Sequence, residues 1–271
     1  MRLALIAGIF AFLGAFFQGQ NVADTVGSGI LMGQIGLLQA VSILAVGSIL
    51  VIVSVLTDYP MPTAFTVVGA VIGSGIGFGN AVNWAEVAMV VGFWVGTPVV
   101  ALVLAYSFAR LMRRYISKEN SEKLINRLLL ISGSYVAYTA GAASVGLAVG
   151  PLSTLETSSS ALLLIGGFSI LLGSWMISPR IIKAVAFDYS NVGPRRSVAA
   201  LAASGLLAQI GIQIGAPVSF NLAIVAAVIG SGMVEGRGNK SDDKIHRTLM
   251  AWIGAFMLAV ALTAALGFLL G

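Results

Sequence analysis

Asp24 stands where a carboxylate is expensive. It lies in the stretch Gln18–Gly29, directly after an apolar run, among Gln18, Gln20, Asn21, Thr25 and Ser28. Most of the chain's ten carboxylates fall instead in loops or at the ends of apolar segments. An aspartate at bilayer depth costs about 2.5–3.5 kcal/mol on insertion scales. A bound cation such as Na⁺ or H⁺ would offset that cost, so Asn21 and Asp24 are the candidate cation ligands. A plain extramembrane turn could carry the same residues. The density of amides and hydroxyls around Asp24 favours a site.

A second set of residues suits the opposite charge. Pro60–Gly75 reads PMPTAFTVVGAVIGSG and Pro217–Gly232 reads PVSFNLAIVAAVIGSG. They are two copies of one segment, 157 positions apart with no gap. Each opens on proline followed by small or hydroxyl residues: Pro60, Pro62 and Thr63, then Pro217, Ser219 and Asn221. Proline near a helix start leaves N–H groups and the positive dipole end pointing outward. Such an end binds anions without Lys or Arg. Two of them facing each other would cradle a tetrahedral oxyanion. Ordinary turn prolines at segment starts are the alternative. A third polar place is Ala140–Ser160, rich in small residues and hydroxyls and holding Glu156. For Ser153–Ser160 a flexible external loop fits equally well.

The elements that carry these residues must be membrane helices. The chain of 271 residues is 58% hydrophobic and 9% charged, with mean hydropathy +0.99. A soluble domain carries about 25% charged residues. Long unbroken apolar runs exclude a transmembrane barrel, whose strands alternate. The absence of cysteine excludes disulfides, thiolate metal sites and thiol catalysis. The single histidine, His246, lies in a charged loop, which speaks against a histidine metal site. Neither paired acid/base carboxylates nor a Ser/His/Asp set lies inside the apolar runs, so no enzyme chemistry is indicated.

The runs predict nine apolar segments: Leu3–Phe17, Ile30–Leu56, Pro60–Gly79, Trp84–Met112, Leu124–Ala148, Ala161–Ile177, Val198–Ile214, Pro217–Val234 and Arg247–Leu270. The expected fold is all-α and polytopic, two inverted repeats with broken or re-entrant helices. Residues 1–112 form the first repeat, 113–123 a cytoplasmic loop and 124–271 the second repeat. The N-terminus has a basic start but no clear small-x-small cleavage site, and reads as a first membrane segment.

The net charge of +5 sits in loops rather than in a nucleic-acid patch. Arg110, Arg113, Arg114, Lys118, Lys123 and Arg127 form one cluster. Arg180, Lys183, Arg195 and Arg196 form a second, and Arg237, Lys240, Lys244 and Arg247 a third. The positive-inside rule places all three in the cytoplasm. If every segment spans, the two copies cross in opposite directions. The breaks Gln18–Gly29 and Ala140–Pro151 then fall on one side, which inverted symmetry forbids, so at least one should re-enter or break in mid-span. Gly29-x-x-x-Gly33, Gly69-x-x-x-Gly73 and Gly75-x-x-x-Gly79 fit close helix packing. Gly- or Pro-broken segments at matching places in two halves point to the binding site of a transporter.

Together these segments resemble the inorganic phosphate transporter (PiT) family. That family pairs two Gly-x-Asn-Asp-x-Ala-Asn motifs with two Pro-Val-Ser-Thr-Thr-His segments that run into Gly-Ala-x-Ile-Gly. Pro60–Gly73 and Pro217–Gly230 match the two segments, Gly19–Gly29 a shortened first motif, and Gly141–Pro151 the second. The chain departs where the second Asn-Asp pair is Ala143 and Ser144, and where the later asparagine is Leu147. Both histidines are gone, with Pro62-Thr63-Ala64-Phe65 and Ser219-Phe220-Asn221-Leu222 in their stretches.

The resemblance implies a secondary active phosphate transporter, coupled to Na⁺ or H⁺, working by alternating access. No cofactor beyond the coupling ion is expected. Asn21 and Asp24 would bind the cation. Gln20, Thr25, Thr63, Ser144, Ser219 and Asn221 would face the anion. It further implies a homodimer in the cell membrane, and the compact chain suggests a prokaryotic inner membrane. The altered motifs leave open a sulfate or other oxyanion permease of the same fold, or a homologue that no longer transports.

Overall fold

The computed structural model describes residues 2–56, 62–116, 121–155, 158–188, 193–234 and 242–271. Pro60, Lys118, Glu156, Arg237 and Lys240 lie outside them. So do the side chains of Arg180, Lys183, Lys244, His246 and Arg247.

The described residues are helical but for short connections and one two-residue bridge. In order they form α1 (Arg2–Asp24), a π-helical turn (Thr25–Gly29), β1 (Leu31–Met32), α2 (Leu37–Leu56), α3 (Thr63–Phe78), β2 (Ala81–Val82) and α4 (Trp84–Tyr115). Then follow α5 (Glu122–Val149), a 3₁₀ turn (Gly150–Leu152), α6 (Ser159–Asp188), α7 (Pro194–Gln213), α8 (Phe220–Met233) and α9 (Asp242–Leu270). α1, α2, α4, α5, α6 and α9 are long and apolar enough to cross a membrane. Large apolar side chains such as Val95, Val99, Phe168, Trp175 and Leu269 are exposed, as a lipid-facing surface requires.

The expectation that every segment spans is corrected by length. α3 has 16 residues and α8 has 14. At 1.5 Å per residue they reach about 24 and 21 Å, short of the ~30 Å hydrocarbon core. Each is instead one arm of a hairpin. α2 and α3 run antiparallel, joined by a buried hydrogen bond from Gln39 Nε2 to Ser74 Oγ at 3.2 Å. Their open end is fixed by β1 pairing with β2, Leu31 to Val82 and Met32 to Ala81, beside the start of α4. α7 and α8 form the second hairpin. Its open end lies at the far end of α4, where Arg113 donates to the Val234 carbonyl at 3.0 Å.

The two copies fold alike in detail. Ser74 Oγ donates to the Val71 carbonyl at 2.8 Å, and Ser231 Oγ donates to the Val228 carbonyl at 2.9 Å. Their packing is reciprocal. Gly69, Gly73 and Gly77 press α3 against Phe256, Val260 and Ala264 of α9, while Gly230 presses α8 against Leu102 of α4. Lipid offers no hydrophobic drive for helix association, so small residues that let backbones approach closely carry the contact. The same device joins α1 to α5 through Gly14, Gly19, Gly141 and Gly146. Of the other glycine pairs, Gly33 and Gly79 serve turns. Gly79 closes α3 in the left-handed region at φ 82°.

α1 and α5 pack in parallel, with Ala11 against Gly141, Gly19 against Gly146 and Val26 against Gly150. α1 runs further than its apolar stretch, through Gln18–Asp24, and α5 stays helical through the expected break as far as Val149. The two breaks therefore meet at one end of the molecule, where Gly27 touches Gly150 and Ser153.

Gly73→Ala would drive a methyl into the Val260 carbonyl and the Thr263 hydroxyl. The expected loss is about 1–3 kcal/mol of stability. Gly92→Ala on α4, where an added methyl meets nothing within 4 Å, should cost nothing. Thermal unfolding of the two variants in detergent checks the contrast.

Candidate functional site

The site is built where helices stop inside the membrane. α3 and α8 are both preceded by extended N-cap residues, Pro62 at φ −72°, ψ 120° and Ser219 at φ −78°, ψ 97°. Ser219 is 1% exposed, and its Oγ accepts from the Leu222 N–H at 3.4 Å. Thr63 opens α3 and is half-buried, and Asn221 is the second residue of α8, also half-buried.

Trp94 joins the two starts. Its ring stacks on Phe65 of α3 at 3.9 Å between centroids and 14° between planes. Its Nε1–H donates to the Pro217 carbonyl, just before α8, at 3.0 Å. Phe256 lies edge-on to both rings, 6.5 Å from Phe65 and 5.9 Å from Trp94. One indole thus touches both hairpin tips, which reach it from opposite ends of α4. Pro98 lies one turn further along α4. It has no N–H for the Trp94 carbonyl, so the helix is weakened at this level. The Thr97 hydroxyl beside it is buried and has no hydrogen-bond partner among the described residues.

The end of α1 approaches the α7–α8 tip. A Cβ on Gly215 would lie 2.8 Å from Thr25 Oγ1 and 3.0 Å from the Asn21 carbonyl oxygen. Gly215 sits at φ +72°, so glycine answers both to the backbone and to this contact. One turn below, Gln209 Nε2 of α7 donates to Gln18 Oε1 of α1 at 2.9 Å. Gln18, Asn21 and Thr25 therefore share the face of α1 that meets the second hairpin.

Asp24 lies on the neighbouring face, exposed, with Gln20 Nε2 donating to its Oδ1 at 2.5 Å. After Asp24 the helix widens. Ile30 N–H bonds to the Thr25 carbonyl at 3.0 Å, and the Asp24 carbonyl accepts from Ser28 Oγ at 2.8 Å. Single π turns in α-helices are frequent at functional sites. The turn is tied to α4, since Asn83 Nδ2 donates to the Gly29 carbonyl at 3.2 Å and Asn83 N–H donates to the Ile30 carbonyl at 2.9 Å. Glu86 lies beside Gly29 in the first turn of α4.

The structure thus groups Gln20 with Asp24, groups Asn21 and Thr25 with the α8 tip, and sets Thr63 and Ser219 on either side of Trp94. Ser144 is half-buried on α5, and no hydrogen bond among the described residues joins it to the others. Sequence reasoning missed Trp94, Gln209 and Glu86. Trp94 carries no ionisable group, Gln209 sits in an apolar run, and Glu86 follows a loop. For Trp94, the proline four residues later was the available signal.

The profile of PHO4, the phosphate transporter family, matches residues 1–263. The chain belongs to this family. It is a multi-pass membrane transporter and not an enzyme. A curated relative, the sulfate permease CysP of Bacillus subtilis, is 25% identical over 267 residues, which cover 96% of this chain and 75% of the relative. A solved structure titled "The sodium-dependent phosphate transporter" superposes with a TM-score of 0.88 at 20% identity. It covers 98% of this chain and 89% of that one. That likeness establishes the fold.

Trp94→Phe keeps the ring stack but strips the buried Pro217 carbonyl of its donor. The expected cost is about 1–3 kcal/mol in chemical unfolding. Trp94→Ala should cost more, because the stack on Phe65 is lost as well.

Proposed function

We propose that this transporter is a cation-coupled phosphate permease working by alternating access. One observation carries the reading: two helices too short to span, α3 and α8, point their N-termini at Trp94 from opposite ends of α4. Helix N-termini attract anions by partial positive charge and by N–H groups not used within the helix. Thr63, Ser219 and Asn221 would face the anion there, with Gln20, Thr25 and Ser144 on the α1–α5 side. Asn21 and Asp24 would hold Na⁺ or H⁺ at the C-terminal end of α1, where the dipole is negative.

The opposed hairpins and their reciprocal packing support an inverted repeat, 1–112 against 124–271 with the loop 113–123 between. α1 and α5 run parallel and stand outside that symmetry. Motion of one hairpin pair against the other about the Trp94 level would open the site to either side.

A second reading, sulfate, is favoured by two observations. One is the likeness to a sulfate permease over nearly the whole chain. The other is Phe65 and Ala143 where the family pattern has histidine and asparagine, with Ser144 in place of the motif's aspartate. Protonated phosphate offers an O–H that needs an acceptor, and sulfate at neutral pH offers none. A site with one fewer carboxylate suits the anion without a proton.

Uptake of labelled phosphate into proteoliposomes, with Na⁺ and pH gradients imposed separately and sulfate as competitor, decides between them. Gradient-driven uptake that falls at least tenfold in Asp24→Asn, and clearly in Ser219→Ala, is the expected result. Unchanged rates in both variants, correctly inserted, would overturn the site assignment. A response to sulfate alone would install the second reading.

A further inference from the structure

We propose that Gln209 of α7 is a ligand of the coupling cation, probed here with sodium. The proposal rests on the cation-coupled reading above and extends its cation site from α1 to the second hairpin.

The observation is an oxygen with nothing to do. The Gln209 amide spends its Nε2 on Gln18 Oε1 at 2.9 Å, and its own Oε1 is buried with no hydrogen-bond partner among the described residues. Buried amide oxygens are almost always satisfied, and an orphan at membrane depth marks a place where something else binds. An acceptor oxygen with no proton to accept suits a metal cation.

The surroundings fit that chemistry. Gln18 Oε1 meets Gln209 of α7, and further along α1 the Thr25 hydroxyl and the Asn21 backbone carbonyl lie against Gly215, so neutral oxygens are at hand. Asp24 adds a negative charge on the adjoining face. α7 ends here at Gln213, with Gly215 packed on Asn21 and Thr25, and α1 passes the same level as it enters its π turn. The negative dipole end of α7 repels anions and attracts cations. In transporters built from broken helices, C-terminal ends and carbonyl oxygens are where Na⁺ is held. Neutral amide and hydroxyl ligands cannot take up a proton at neutral pH, so a set holding one carboxylate favours sodium over H⁺. One cation held by both α1 and α7 would fix the second hairpin against α1. Its occupancy would then set the position of Ser219 and the anion end of α8.

Sodium titration of the thermal unfolding of the purified protein, in a choline chloride background, tests this without transport. Ligand that binds the folded state raises the unfolding temperature with concentration. The expected result is a saturable sodium response in the wild type. Gln209→Leu should shift its half-saturation upward by about 10-fold or more, while Gln209→Glu, which keeps an oxygen in place, stays within about threefold of wild type. Each titration is read against that protein's own unfolding temperature in choline alone, because both variants lose the Nε2 bond to Gln18 and should start lower than wild type. If Gln209→Leu does not fold, the wild-type and Gln209→Glu titrations are set against Gln18→Leu, expected to weaken the response in the same direction. A Gln209→Leu titration identical to wild type overturns the inference. If Asp24→Asn abolishes the response and Gln209→Leu leaves it intact, this inference fails while the Asp24 reading stands. No sodium response in the wild type also overturns it, and proton-driven uptake in the same preparation would leave the transport reading standing.

Discussion

A helix that ends inside a bilayer must find partners for the backbone groups its ladder leaves over, because lipid supplies none. This chain ends two helices there, and the rest of the architecture follows from that. α3 and α8 can begin at mid-depth because Trp94 meets both beginnings: it covers Phe65 with its ring and satisfies Pro217 with its N–H. Ser219 caps its own helix. What would be a defect in a soluble helix becomes the polar centre of a membrane protein.

Helix polarity then sorts charge within a small volume. N-termini of α3 and α8 converge on Trp94, and the C-terminus of α7 lies near Asn21, Thr25 and Gly215. On the proposed reading, an anion and a cation would lie near each other without an arginine or lysine at either place. Backbone dipoles remain when a motif histidine becomes Phe65, and the aromatic ring that replaces it packs onto Trp94.

Glycine holds the moving parts together closely. α3 lies on α9 and α8 lies on α4 through backbone-to-backbone contacts that admit no added methyl at Gly73, Gly77 or Gly230. Each hairpin is thereby fastened to the last helix of the opposite half. On the proposed alternating-access reading, a shift of one hairpin would carry that helix with it.

The sequence alone settled the solvent, the helical class and the family likeness, because mean hydropathy, charge placement and an ungapped repeat are properties of residue order. It also located the polar stretch at Asp24 and the proline-led starts at Thr63 and Ser219. It misjudged the extent of the breaks, since polar residues in Gln18–Asp24 and small ones in Ala140–Val149 stay helical when a neighbouring helix covers them. Only the tertiary structure decided that the short copies are hairpin arms meeting at one tryptophan, that Gly215 packs on Asn21 and Thr25 with Asp24 on the neighbouring face, and that Gln209 bonds to Gln18. Those facts depend on helices far apart in sequence coming within hydrogen-bond distance. In a nearly uniform apolar sequence, no local pattern records which face of a helix meets which partner.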